Sequence, residues 1–559
     1  MKLPETATVT GDHETVTGEL LQSLLHSIQK TQSFKGKWSL IETKVSDLKT
    51  LLSDVSDFPP NSISGDLIRS LTQTLSDALS LSVTCHTASL PAGKLKTQND
   101  VDSVTAKLDN HIRDLDVVVK SGVLHDGVVS VSKSSNSKIS KRDSVRVEAR
   151  SLVTRLQIGS VDSRTFALDS LLKLIQEDDK NVLIAVAQGV VPVLVRLLDS
   201  GSSPEIREKT VTAIARVSTV DSSKHVLLAE GLLLLHYLIK VLESGSDFAK
   251  QKACVTLQTL TLSKENAKAI ESRGGISSLL DICQSGTPPS QAAAAAVLRN
   301  LTEFSDCREN FIEEHAVSVL LTLARSGTAL AQEHSIACLS NLVKDDDDLK
   351  LLIVRKGGLI SLKSFWDSAS VKSLEVAVEF LSNLASDQRL IEVIISNDFL
   401  IRLLNSLNCG VLGVRTHAAE AVYKIGYNSK TRKELGELGF IPVLNRMLDG
   451  KSVEEIQAAA KALSTILVYT ENRRVYRKDP RGVVSVVRLL DPSITNLDKK
   501  YPVSILNSLT HSKKCRKQMV KSGALSHLEK LMAMDVEGAK SLQEAIGGGK
   551  LFGVFRIRS

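Results

Sequence analysis

A few groups of residues in this sequence have the types and spacing to do chemistry. His334 follows Glu333 directly, and His417 lies three residues before Glu420, so each histidine has a carboxylate that could tune it as a general base. Both pairs fall on helical stretches of a repeating unit, where a histidine that lines a groove explains them better than catalysis. Phosphate-binding glycine loops, HExxH and GxSxG motifs are absent from the sequence, so we predict no enzyme, catalytic residue or cofactor.

An acidic run also has the composition of a ligand site. Asp345–Asp348 offers oxygen ligands that a hard cation would accept. We interpret the run instead as a solvated loop whose last residue, Asp348, caps the following helix. No metal site is predicted.

Two basic clusters near the C-terminal end could attract an anion. We define the basic ridge as their cations: Arg473, Arg474, Arg477, Lys478, Lys513, Lys514, Arg516 and Lys517. The residues from Glu471 onward hold 18 lysines and arginines against 8 acidic residues, although the whole chain carries only +7. An acidic protein segment or an anionic membrane suits the ridge, or it is merely solvated. Nucleic acid is disfavoured because Tyr476 is nearly the only aromatic residue there.

Composition limits the compartment. The seven cysteines are scattered and never spaced Cys-x-x-Cys, which argues for a reducing environment and against disulfides or zinc. The first residues hold no apolar signal segment, and no 18 consecutive residues are apolar. We therefore expect a cytoplasmic or nuclear protein, with peripheral membrane attachment as an alternative.

The elements that position these residues recur with a period of 40 to 44 residues. One marker is a polar residue near the end of a motif such as VLRNL, and a second is a corner residue, usually glycine, before an apolar segment. The polar markers are Lys173, Arg216, Thr259, Asn300, Asn341, Asn383, Lys424, Thr465 and Ser508. The corner residues are Gly189, Gly231, Gly275, His315, Gly358, Asp398, Gly439, Gly482 and Gly523. Two markers moving in step across nine copies indicate a repeat array.

Each copy predicts a short helix, a corner and a longer apolar helix. Glycine reaches the backbone conformations that a steep corner needs. The apolar residues then follow helical spacing, as in Val191, Leu194, Val195 and Leu198. One unit has no core of its own, so stacked units must share a continuous one.

From about Asp143 to Ala545 this pattern resembles the armadillo repeat. The resemblance implies an all-α superhelix of about nine repeats, whose third helices line a concave groove. It also implies that Asn300, Asn341 and Asn383 point into that groove and hold the extended backbone of a protein ligand. At the other copies Lys173, Arg216 and Lys424 are the candidate groove residues. Alternatively, the asparagines merely finish a helix and bind solvent.

The sequence departs from the nuclear-import adaptors of this family. Those proteins carry a tryptophan four residues before the asparagine to clamp a basic peptide. Ala296, Ala337 and Glu379 occupy those positions here. An import receptor is therefore disfavoured.

The front of the chain does not follow the repeat. Four amphipathic stretches between residues 14 and 122 predict a helical bundle, and residues 1–13 are expected to be disordered. A bundle ahead of an armadillo array resembles plant U-box armadillo ubiquitin ligases, and more closely plant armadillo proteins that lack the ligase module. Residues 123–142 form a Ser/Lys-rich stretch, predicted to be a flexible basic linker, which is too short for a U-box.

We therefore assign domains at 14–122 (bundle), 143–545 (solenoid) and 546–559 (a basic-hydrophobic tail). The predicted function is a non-enzymatic scaffold that binds a protein segment in the groove. One alternative is a substrate adaptor serving a ubiquitin ligase in trans. Another is a peripheral membrane or trafficking organiser that uses the basic C-terminal end. The sequence does not indicate an oligomeric state.

Overall fold

The computed structural model describes residues 9–56, 62–87, 90–91, 93–121, 141–199 and 201–547. Within these ranges the regular secondary structure is helix, with no strand, as the all-α prediction requires. The described residues fall into two compact units that divide after Leu260. Most of the predicted linker 123–142 and of the predicted tail 546–559 lies outside the described residues.

The first unit begins with the four-helix bundle. Its helices are Val9–Ile28, Lys35–Ser56, Ser62–Thr84 and Lys94–Ser121, so the first helix starts five residues before the predicted boundary at 14. The first helix packs on the third, and the second on the fourth. Leu24, Trp38, Leu71 and Leu108 form the centre of a dry core, because their side chains are fully buried.

The first unit continues with the start of the repeat array. The helix pair Lys141–Ile158 and Val161–Glu177 comes first, and Ile158 packs against the core of the bundle. One complete repeat then follows, with helices Asp179–Ala187, Val190–Leu197 and Pro204–Ser218. The next repeat consists of Lys224–Ser244, which is broken at Gly231, and Asp247–Leu260.

The second unit contains seven further three-helix repeats between residues 264 and 547. The first helices are Lys264–Glu271, Arg308–Glu313, Asp347–Arg355, Ile391–Ser396, Ser429–Glu437, Thr470–Tyr476 and Lys513–Lys521. The second helices are Gly275–Ser285, Ala316–Ser326, Gly358–Ser368, Phe399–Ser406, Phe440–Met447, Gly482–Arg488 and Ala524–Ala533. The third helices are Pro288–Thr302, Ala329–Leu342, Leu374–Leu384, Leu412–Ile425, Val453–Ile466, Lys500–Leu509 and Ala539–Gly547.

The corners between first and second helices depend on left-handed backbone. Gly189, Gly439 and Gly523 have φ of 80°, 90° and 87°, as the glycine signal predicts. The non-glycine corners His315 and Asp398 adopt the same conformation, with φ of 55° and 63°. These corner positions follow the predicted spacing.

Three corner assignments need correction. At the two Gly-Gly pairs the left-handed residues are Gly274 and Gly357, one position before the predicted Gly275 and Gly358. Gly275 is required for space, because a Cβ atom there would lie 2.5 Å from Cγ2 of Ile270. Gly482 also provides space rather than a left-handed corner, since its Cβ would lie 3.0 Å from the ring of Tyr476.

The acidic run before the helix Asp347–Arg355 is a helix start. Asp346, rather than the predicted Asp348, is the cap, and its carboxylate accepts a hydrogen bond from the backbone N–H of Leu349 at 2.8 Å. Asp345 pairs with Arg308, and Asp347 pairs with Lys350. The run therefore fulfils ordinary capping and ion-pair roles.

One stretch, Asp221–Ser244, is long and apolar enough to cross a membrane by length and composition. Its backbone breaks at Gly231, where φ is 35° and ψ is −114°. On either side of the break, Leu227, Leu234 and Leu238 are buried in the array. The stretch thus serves as the first two helices of a repeat.

We expect Gly436→Ala to destabilise the second unit by about 1–3 kcal/mol, although alanine normally stabilises a helix interior. A Cβ at Gly436 would lie 1.8 Å from Oδ1 of Asn472. That asparagine is buried, and its amide donates to the carbonyls of Arg432 and Ile466, so it cannot move freely. Gly18→Ala is the matched control, because a Cβ there meets no atom within 4 Å. Denaturant unfolding in which both substitutions stabilise would contradict this packing.

Candidate protein-binding face

Consecutive third helices of the second unit pack side by side. We call the surface that they share the third-helix face. It is made by residues 288–302, 329–342, 374–384, 412–425, 453–466 and 500–509. The small side chains of Ala293, Ala294 and Ala295 are buried where these helices meet, which permits close approach. The polar markers of the repeat therefore recur along one layer.

Each of the three predicted asparagines donates a hydrogen bond to a residue about 40 positions earlier in the chain. The side-chain amide of Asn300 donates to Oγ1 of Thr261 at 3.0 Å, and that of Asn341 donates to Oγ1 of Thr302 at 3.2 Å. Asn383 donates to both the carbonyl and the hydroxyl of Ser340, at 3.3 and 3.0 Å. The asparagines thus hold successive repeats together.

The other candidate groove residues differ in their contacts. Nζ of Lys424 donates to the carbonyl of Ser382 at 2.8 Å, and burial lowers the pKa of this lysine. In the first unit, Nε of Arg216 donates to the carbonyl of Ile175 at 3.0 Å, in the same backward direction. Lys173 is exposed and has no hydrogen-bond partner among the described residues.

Five of the six candidate positions therefore join one repeat to the one before it, and Lys173 is the exception. Asn341 is only 8% exposed, and its acceptor Thr302 is fully buried. Substituting these asparagines would weaken the array as well as any ligand contact, because a buried hydroxyl would lose its donor. The solvent-facing chemistry of the face must come mainly from neighbouring residues.

A row of half-buried charges occupies the face beside Lys424. His417 has the carboxylates of Glu375 and Glu420 at 3.9 and 3.8 Å, and Glu420 raises the pKa of this histidine. Glu379 lies 3.4 Å from Nζ of Lys344 on the preceding repeat. Opposite charges therefore alternate across neighbouring third helices.

Three tyrosines extend this row. The hydroxyls of Tyr423 and Tyr427 are 2.5 Å apart, and the ring of Tyr423 meets the edge of Tyr501 at a centroid distance of 6.0 Å. Lys461 and Lys500 place their Nζ atoms 5.8 and 5.0 Å from the centre of the Tyr501 ring. This cluster was not predicted from the sequence, although Tyr423 stands next to the marker Lys424 and provides a usable signal.

His334, the other histidine with a neighbouring carboxylate in the sequence, lies in a different environment from His417. Burial lowers the pKa of His334, and its buried Nδ1 has no hydrogen-bond partner among the described residues. The carboxylate of Glu333 accepts a hydrogen bond from the hydroxyl of Ser373 at 2.6 Å. Neither histidine lies beside a nucleophile arranged for its activation in the described part of the chain.

The basic ridge spans two successive repeats. Its first cluster lies on and directly after the helix Thr470–Tyr476, and its second lies on Lys513–Lys521. The side-chain amide of Gln518 donates to the carbonyl of Pro480 at 2.7 Å, which links the two segments. Arg474 pairs with Glu471, whereas the other ridge cations form no ion pair among the described residues.

Two family models match parts of the chain. The model described as Armadillo/beta-catenin-like repeat matches residues 167–219, and a domain of unknown function (DUF7032) matches residues 15–123. A curated relative, U-box domain-containing protein 10 of Arabidopsis thaliana, is 28% identical over 153 residues. That similarity covers 27% of this chain and 24% of the relative, about a quarter of its length.

Solved structures decide the fold. An engineered protein aligns with a TM-score of 0.62 and 23% identity, covering 72% of this chain and 99% of its own. A structure from a study of the interaction between cadherin and beta-catenin aligns with a TM-score of 0.61 and 16% identity, covering 80% and 97%. The repeat array is an armadillo solenoid. The resemblance inferred from the repeat markers is thereby confirmed, and the armadillo fold generally serves as a scaffold for protein interactions.

Proposed function

We propose that the chain is a non-enzymatic scaffold whose third-helix face binds an extended segment of a protein partner. The cluster of Tyr423, Tyr427 and Tyr501 carries this proposal. Tyrosine combines a large apolar surface with a hydroxyl, and it is enriched in the parts of interfaces that dominate binding energy. Here the rings lie beside lysines on the third-helix face and are not enclosed in the hydrophobic core.

The row of charges beside Lys424 supports a partner segment that carries both basic and acidic residues. Glu375, Glu379 and Glu420 lie near His417 on the third helices 374–384 and 412–425. Lys461 and Lys500 lie beside Tyr501 on the two third helices that follow. A segment with basic residues at one end and acidic or aromatic residues at the other matches this order. Such complementarity fixes both the direction and the register of an extended ligand.

Photo-crosslinking from paired positions tests the location of the binding face. A crosslinking amino acid would replace Tyr427, which is 55% exposed beside the tyrosine cluster, or Ile401, which is 56% exposed on a second helix. We expect a partner to be crosslinked from position 427 and not from 401, although their exposure is matched. Equal yields from both positions, or crosslinks only from 401, would contradict the proposal.

The partner identified in this way then allows an affinity test. We expect Tyr427→Ala combined with Lys461→Ala to weaken binding about ten-fold or more, since truncation of central aromatic residues typically costs at least 1–2 kcal/mol. Ile401→Ala combined with Lys363→Ala is the control on the second helices. Thermal unfolding should show that both double variants remain folded.

The similarity to a U-box protein supports a second candidate, a substrate adaptor for a ubiquitin ligase in trans. The relative's name includes a U-box, and the 153 aligned residues make up a quarter of its length. An adaptor would bring a client bound at the armadillo face to a separate ligase. Copurification of ligase components with the full chain, lost when residues 1–122 are deleted, would favour this candidate.

A further inference from the structure

A small cavity lies between the two clusters of the basic ridge. Its volume is about 260 Å³, and its polar lining consists of Thr470, Arg473, Arg477, Ser508, His511 and Ser512. Three hydroxyl-bearing residues and two arginines line the same space, and none of the lining residues is acidic. The cavity lies beyond the tyrosine cluster, and the marker residue Ser508 forms part of its lining.

Arg473 is fixed in place at the wall of this cavity. Its guanidinium donates to the carbonyls of Ser508 and Val468 at 3.2 and 3.4 Å, and to Oγ1 of Thr470 at 2.8 Å. Its Nε is buried and has no acceptor among the described residues. The fixed charge is therefore only partly satisfied by the protein itself.

Arg477 supplies a second guanidinium one helical turn later. Its Nε donates to the carbonyl of Arg473 at 3.1 Å, which orients the side chain. Its two terminal nitrogens have no acceptor in the described part of the chain. Since an arginine fork binds oxyanions through paired N–H groups, these nitrogens remain available to a ligand.

The helix Lys513–Lys521 adds to the positive potential. Ser512 caps its start by accepting a hydrogen bond from the N–H of Cys515 at 3.4 Å. A helix start carries a partial positive charge that acidic residues normally balance. The first turn here contains no acid and begins with Lys513 and Lys514, so the protein does not provide its own counter-charge.

We propose that this cavity binds a phosphate monoester group. A phosphate offers three terminal oxygens, which match the open nitrogens of Arg477, the positive charge of Arg473 and the hydroxyls of Thr470 and Ser512. A carboxylate has fewer acceptors and less charge to balance the surrounding cations. The same group occurs on soluble phosphorylated compounds and on phosphoinositide headgroups, so the chemistry is common to both sources.

Binding of inositol trisphosphate to the full-length chain, measured by calorimetry at low ionic strength, tests the site. We expect Arg477→Gln to weaken binding about ten-fold or more, because hydrogen bonds to charged groups contribute about 1.5–3 kcal/mol each. Arg474→Gln is the matched control, since it removes the same charge from the same helix without lining the cavity. His511→Ala provides a second variant at an exposed position, and thermal unfolding checks that each variant is folded.

The results of these measurements distinguish a specific phosphate-binding site from general electrostatic attraction. Equal weakening by Arg474→Gln and Arg477→Gln, or no binding by the wild type, would overturn the proposal. Flotation then compares vesicles containing phosphatidylinositol phosphate with vesicles of equal charge containing phosphatidylserine. Preference for the phosphoinositide supports the site and assigns it to a headgroup, whereas binding of the soluble probe alone supports it and assigns a soluble ligand. Equal flotation with both vesicles, insensitive to Arg477→Gln, would overturn the site.

Discussion

Replacing Glu455 with alanine is expected to lower the free energy of unfolding of the second unit by about 3–5 kcal/mol. The carboxylate of Glu455 accepts two hydrogen bonds from the guanidinium of Arg415, at 2.6 and 3.2 Å. The two residues lie on successive third helices, and the side chain of Glu455 is only 8% exposed. Its removal leaves a partly buried guanidinium whose one remaining acceptor in the described part of the chain is the carbonyl of Cys409.

Two controls distinguish the buried charge from loss of side-chain contact. Glu454→Ala removes a neighbouring exposed carboxylate and should change stability by less than about 1 kcal/mol. The double variant Arg415→Met/Glu455→Leu removes both charges and should recover most of the stability, because well-packed apolar residues replace buried pairs with little loss. Denaturant unfolding in which the double variant is no more stable than Glu455→Ala would contradict the role assigned to the charge.

Trp38→Ala is expected to destabilise the first unit by about 3–5 kcal/mol. The indole is fully buried at the centre of the four-helix bundle, where it packs with Leu24, Leu71 and Leu108. Removal of the indole leaves a cavity, and the four helices can fill it only by moving toward one another. The indole Nε1 is buried without a partner among the described residues, so the substitution removes no hydrogen bond and the loss is one of packing.

Leu40→Ala is the control for Trp38→Ala on the same helix. Leu40 is 52% exposed, so its truncation should change stability by at most about 0.5 kcal/mol. Calorimetry of the full chain should show one lowered transition for Trp38→Ala and an unchanged profile for Leu40→Ala. Similar small effects of the two substitutions would mean that the bundle core is not packed around the tryptophan.

The array was predictable because its markers have local physical causes. Gly189 and Gly439 stand at corners that require positive φ, and this constraint recurs in most repeats. Two of the three corner errors arose where two constraints meet in adjacent residues. Gly274 provides the left-handed corner while Gly275 avoids Ile270, and spacing alone cannot tell the two glycines apart.

The candidate site was less predictable because its contacts join residues distant in sequence. The positions of Asn300 and Asn383 followed from the period, but their acceptors lie about 40 residues earlier and have no motif of their own. The tyrosine cluster was missed for the same reason. Tyr423 and Tyr501 are 78 positions apart and meet only after three third helices have stacked.

The backward direction of the marker hydrogen bonds has a consequence for synthesis. Asn341, Asn383 and Lys424 each donate to a residue that the ribosome has already released. The marker donor of a newly made repeat therefore has its acceptor available at once. The acceptors of the last completed repeat stay unpaired until the next repeat has been synthesised. Nearest-neighbour stacking can thus advance in step with translation, from the amino end toward the carboxyl end. A nascent chain paused between these repeats would expose hydroxyls and carbonyls at its leading edge, which water can satisfy, while the amides of Asn341 and Asn383 and the ammonium of Lys424 would already be paired.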